Sequence, residues 1–140
     1  MAVESSQTAR WWRPQYGSGM AGIARFSVVA LDTADPHALA AFYGALTGWE
    51  VDRDEGDWVQ LRSDTGAALA FQRVTDHRAP TWPTGDRPQQ AHLDFDVDDL
   101  DAGEAHAIAI GATKAEYQPG DGFRVFLDPA GHPFCLVQAG

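Results

Sequence analysis

His92 and Asp94, two residues apart, are the side chains of this sequence best suited to proton chemistry. An imidazole titrates near neutral pH, and a carboxylate on the same side of a strand can orient it, as a general acid–base catalyst requires. The plainer reading of His92 is a pocket residue that hydrogen-bonds to a ligand or to the next strand. Cys135 is the only cysteine. It is a candidate nucleophile or soft metal ligand, or a small apolar packing group in its strand. Arg124 can clamp a carboxylate or phosphate, or pair with Asp94 or Asp96. Trp58 can stack on a flat ligand or fill the floor of a binding surface. With Gln60 and Phe126 these residues form the candidate ligand-contacting set: Trp58, Gln60, His92, Arg124, Phe126 and Cys135.

Other polar residues have readier explanations. Asp96, Asp98, Asp99 and Asp101 look like a metal-binding cluster, yet they suit a helix N-terminus, where negative charge is favourable. His37, His77 and His106 fall in a helix first turn, a linker and a helix, and read as surface residues. His132 sits in a hairpin and suits a turn hydrogen bond. Trp82, in a Pro-rich linker, is expected to pack across modules or chains.

The elements that position these groups are legible from spacing. Phe26–Leu31 reads as a strand. Asp35 caps a helix with Pro36 in its first turn; Leu39, Phe42, Tyr43 and Leu46 recur at helical intervals, and Gly48 stops it. Trp49–Asp52, Trp58–Arg62 and Ala68–Val74 follow as strands. Thr75–Gln90 is a linker broken by Pro80, Pro83, Gly85 and Pro88. The order then repeats: a strand at Ala91–Val97, a helix capped by Asp99 that carries Leu100, Ala105, Ile108 and Ala109, then strands at Lys114–Gln118, Phe123–Leu127 and Pro133–Gln138. Asp35 to Gly48 and Asp98 to Gly111 both span 13 positions, and each half ends in a turn 16 or 17 positions later, at Asp64 and Asp128. Shared punctuation of this kind marks an internal repeat. The expected fold is α+β: two βαβββ modules forming a cupped mixed sheet, with the helices on its outer face.

Strand alternation assigns the faces. Val29, Leu31, Leu69, Phe71, Leu93, Phe95, Val97, Val125, Leu127, Phe134 and Leu136 are expected against the helices. Val28, Ala30, Trp58, Gln60, Ala70, His92, Asp94, Arg124, Phe126, Cys135 and Val137 are then left on the open face. An apolar wall with a few polar groups suits a small organic ligand.

With 140 residues, the chain fits one domain. The expected divisions are a flexible tail over 1–21, then a single domain over 22–140 with module 1 at 23–76, the linker at 77–90 and module 2 at 91–138. In the tail, Trp11, Trp12 and Tyr16 are candidates for docking on a partner subunit or on the cup, and Met20 offers an alternative start of translation. The net charge of −10 repels phosphate backbones and anionic lipids, so neither nucleic acid nor a membrane is an expected partner. No apolar run reaches the roughly 18 to 20 residues that span a bilayer, and one cysteine gives no internal disulfide. The expected location is the cytoplasm.

Three stretches carry a resemblance. Asp35-Pro36-x-x-Leu39-Ala40-x-Phe42-Tyr43 with Gly48-Trp49, then Pro80-x-Trp82-Pro83 with Pro88-Gln89-Gln90-x-His92-Leu93-Asp94, then Asp128-Pro129-x-Gly131-His132-Pro133-Phe134-Cys135-Leu136 together resemble the vicinal oxygen chelate (glyoxalase/bleomycin-resistance/dioxygenase) superfamily. The likeness is to a glyoxalase-like subgroup common in actinomycetes, over about Ile23 to Val137. It implies a divalent ion held by four cup side chains, one from the first and last strand of each module, acting as a Lewis acid on vicinal oxygens. Those positions fall on Val28, Ala70, His92 and Cys135. Two are apolar and one is a thiol where the family has Glu, so only His92 matches. A metal site at His92 and Cys135, completed by Asp94 or His132, is disfavoured, and no cofactor is expected.

The resulting expectation is a homodimer that binds a small aromatic or hydrophobic metabolite or drug in its cup without the usual divalent metal. The alternatives are an enzyme of the lyase, isomerase/epimerase or dioxygenase type, metal-dependent or using His92 and Asp94, and a fold kept for dimeric assembly alone.

Overall fold

The computed structural model describes residues 22–140; the expectations for 1–21 lie outside the described residues. The first module runs β1 (Val28–Thr33), α1 (Pro36–Thr47), β2 (Glu50–Asp54), β3 (Trp58–Arg62) and β4 (Ala68–Arg73). The second runs β5 (Leu93–Val97), α2 (Leu100–Ala109), β6 (Thr113–Lys114), β7 (Phe123–Leu127) and β8 (Pro133–Gln138). The fold is α+β, built of two βαβββ modules as the repeat implies. The eight strands hydrogen-bond as two four-stranded sheets, with orders β1-β4-β3-β2 and β5-β8-β7-β6. In each, the first strand lies parallel to the last, and the remaining pairings are antiparallel.

Local chemistry sets the helix ends. The Asp35 carboxylate accepts from the Ala38 N–H at α1, and Asp99 accepts from Asp101 and Ala102 at α2, satisfying amides that have no partner inside the helix. Gly48 closes α1 at φ 80°, a left-handed conformation that costs glycine little.

The helix-facing sides of both sheets meet in one core. Tyr43 of α1 stacks on Phe71 of β4, with centroids 5.6 Å apart and planes at 11°, and reaches Phe95 and Phe134 of the second module at 6.0 Å. Its hydroxyl donates to Asp128 at 2.7 Å in a buried setting. Burial and the neighbouring carboxylate push the Tyr43 phenol well above its ordinary value. The other Asp128 oxygen accepts from the N–H groups of Ala130 and His132. One carboxylate thus forms the β7–β8 turn and ties it to the first helix.

Three histidines join these units. His132 Nε2 donates to the Asp32 carbonyl at 2.6 Å, His106 Nε2 to that of Ala45 at 3.1 Å, and His77 Nε2 to that of Ala130 at 2.8 Å. His106 is exposed, as its position suggests, and also serves as a tie, while His77 is half-buried. His37 does lie at the surface, where it pairs with Asp54.

Two parity expectations need correction. In β7, Phe126 and Arg124 lie on the helix side and Val125 on the open side. Phe126 is fully buried and stacks on Phe134 at 5.6 Å, while Arg124 reaches Glu104 and Asp101 of α2, each at 2.8 Å. Either alternation of Phe-Arg-Val-Phe-Leu buries apolar surface. The acidic pair on α2 decides, because it gives the guanidinium partners over the helix. Asp94 and Asp96 do not pair with it. In α2 the buried residues are Leu100 and Ala107, and Ile108 is exposed. The helix approaches through Gly103, which stands against Val97 and Leu136, and this turns Ile108 away from the sheet.

Candidate functional site

The open face of module 2 carries a cavity of 440 Å³. Its floor comes from β7 and β8. Phe123 pairs with Val137 and Val125 with Cys135, so these four side chains share one face. Asp94 of β5 pairs with Cys135 from the other side of β8, and His92 stands just before β5. The strands thus bring His92, Asp94 and Cys135 together, as alternation requires.

The cavity also has a roof, which comes from the linker. Thr81 and Pro88 bridge, the Thr81 N–H donates to the Arg87 carbonyl at 2.6 Å, and the Arg87 N–H donates back to the Thr81 hydroxyl at 3.0 Å. Gly85 (φ 138°) lies so close to the Thr81 side chain that a Cβ there would collide with it. The closed loop sets Trp82 against the cluster of Ala115, Val125 and Cys135, with Tyr117 behind it at a centroid distance of 5.8 Å. Gln89 follows from the same loop and also lines the cavity. Its Oε1 is buried and without a hydrogen-bond partner among the described residues.

His92 Nε2 lies 3.3 Å from an Asp94 carboxylate oxygen. The Cys135 thiol is 6% exposed, and its pKa is pushed up to about 11 by burial first and by the Asp94 carboxylate second. A thiol so placed keeps its proton at neutral pH, which weakens it as a nucleophile. Donor atoms of His92, Asp94 and Cys135 lie within 4.8 Å of one another, the spacing of a candidate cation site.

The remaining candidates stand elsewhere. Trp58 and Gln60 lie on the open face of module 1, where the Trp58 indole donates to Gln60 Oε1 at 3.1 Å. Arg124 and Phe126 are on the helix side of module 2. Of the four positions at which the superfamily holds its ion, Val28 and Ala70 lie on the open face of module 1, opposite the core residues Val29 and Leu69, and offer no donor atom. The residues present do not fit a four-ligand site. His132 is held on the Asp32 carbonyl and does not complete the cluster.

Trp82, Gln89, Phe123 and Val125 were not singled out as site residues from the sequence. The usable signal lay in the Thr81–Pro88 loop, whose prolines and Gly85 fold it back over the strand that follows.

The family model described as "Glyoxalase-like domain" matches residues 28–137. Comparison with curated proteins gives no match. Among solved structures, the chain is similar to a glyoxalase/bleomycin resistance protein/dioxygenase family enzyme from Burkholderia phytofirmans, at 24% identity and a TM-score of 0.62 over 82% of this chain and 98% of that one. It is similar also to a glyoxalase/bleomycin resistance protein from Albidiferax ferrireducens, at 22% identity and 0.61 over 84% and 100%. A glyoxalase family protein from Enterococcus faecalis aligns at 21% identity and 0.63 over 83% and 98%. At these identities the likeness is one of fold.

Proposed function

Because the chain belongs to the glyoxalase-like domain family, we propose that it binds a small aromatic or hydrophobic metabolite or drug in the roofed cavity of module 2, without a divalent metal. The observation that carries this reading is the lining: Trp82, Phe123, Val125 and Val137 supply apolar wall, and few polar groups interrupt it. Small-molecule sites have this composition, commonly in volumes of about 300–1,000 Å³. The test is a thermal-shift screen of aromatic and drug-like compounds. Hits whose stabilisation is lost in Trp82→Ala support the reading, and a screen without any such hit rejects it.

The same reading makes the protein an acidic cytoplasmic homodimer with no nucleic acid or membrane partner. Among the described residues no helix is long and apolar enough to cross a membrane. Both open faces and the free edges of β1 and β5 call for cover, which a second copy supplies. Light scattering should give twice the 15.2 kDa chain mass; the mass of one chain at micromolar concentration would refute the dimer.

One observation favours a second reading, an enzyme of the lyase, isomerase/epimerase or dioxygenase type. It is the convergence of His92, Asp94 and Cys135. In the metal-free form, His92 moves a proton while Asp94 orients its ring. In the metal-dependent form, the three donors hold the ion. Metal analysis separates the binding reading from the metal-dependent form: a stoichiometric divalent ion, lost in His92→Ala, replaces the binding proposal with the enzymatic one.

A further inference from the structure

The polar groups of the module 2 cavity are biased toward accepting hydrogen bonds. Asp94 contributes an exposed carboxylate, whereas the Gln89 Oε1, without a hydrogen-bond partner among the described residues, lies behind the wall surface. His92 Nε2 is turned to Asp94, and among the described residues no lysine or arginine lines the space. The aromatic groups at the wall, Trp82 and Phe123, present faces that attract cations. The net charge of −10 draws positive ligands toward the surface.

We propose that the cavity selects a planar aromatic molecule bearing a primary amine, with its ring on Trp82 and Phe123 and its ammonium group toward Asp94. This rests on the binding reading above and adds the ligand's chemical class.

Three probes of one shape test it by calorimetry at pH 7.5: 1-naphthylmethylamine, 1-naphthylmethanol and 1-naphthoic acid. The ammonium adds a charge-assisted bond to Asp94, so the amine should bind about tenfold tighter than the alcohol, and the acid weakest. Asp94→Asn, near in size to the residue it replaces, should shrink the gap between amine and alcohol. If the alcohol binds as tightly as the amine, or the acid binds best, the cavity is a binding site but the amine inference is overturned. If none of the three binds, the binding reading fails and takes this inference with it. A preference for the amine that survives Asp94→Asn also overturns the assignment, since the selectivity then arises elsewhere.

Discussion

The two modules share strand order and helix placement yet present different open faces. On module 1, Val28, Ala30, Ala68 and Ala70 make a surface of small side chains, with Trp58 and Gln60 bonded to each other beside it. On module 2 the equivalent strands carry Asp94, Cys135, Val125 and Val137, and the linker closes over them with Trp82 and Gln89. Strand order alone therefore does not make the open-face cavity of module 2. The difference comes from a loop outside the repeat that lies over one copy of it and not over the other.

The largest effects should come from what the modules share. Phe134 and Cys135 are neighbours on opposite faces of β8. Phe134 belongs to the core joining both modules, so Phe134→Ala should cost about 3–5 kcal/mol and unfold both in a single transition by denaturant titration. Cys135→Ala, at the cavity floor, should cost about 1 kcal/mol or less. Equal losses would mean that the open face is as tightly packed as the core.

Tyr43→Phe removes the donor to Asp128 and keeps the ring. It should cost about 1–3 kcal/mol, with the two modules still melting together. Separate transitions would show that this one hydrogen bond couples them.

Trp82→Ala should weaken binding of an aromatic probe about tenfold or more, as expected for a large aromatic at the centre of a contact. Trp58→Ala should change affinity little. Equal losses would sharpen the comparison in another direction, by showing that the open face of module 1 from a second copy completes the cavity.

The smallest effect concerns Cys135. Its thiol titrates near 11 rather than at the usual 9.0, so iodoacetamide should label it slowly at pH 8 and faster toward pH 11. Between pH 9 and 11 the unfolded chain releases this proton while the folded one retains it, so stability falls as pH rises through that window. Asp94→Asn should move the labelling midpoint down, and an unchanged midpoint would leave burial as the whole cause.

Much of this architecture could be read from the sequence because punctuation is local. Asp35, Pro36 and Gly48 bound one helix and Asp99 starts the other through hydrogen bonds within a few residues. Alternation placed His92, Asp94 and Cys135 on one face because Leu93, Phe95 and Phe134 have an unambiguous apolar side. It failed in β7, where both faces are apolar and the choice depended on Asp101 and Glu104, some 20 residues away. The roof was missed for a related reason. Trp82 and Gln89 reach the cavity only because the Thr81–Pro88 loop closes on itself, and periodicity says nothing about a loop's path. The histidine ties to the carbonyls of Asp32, Ala45 and Ala130 likewise span 53 to 100 positions.

The most direct test is an amide and indole NMR titration of the full chain with 1-naphthylmethanol. Shifts should concentrate on the Trp82 indole N–H and on the backbone N–H groups of Gln89, Val125 and Cys135, with the Trp58 indole unmoved. Shifts confined to module 1, or none at all at millimolar probe, would contradict the placement of a ligand site beneath the linker.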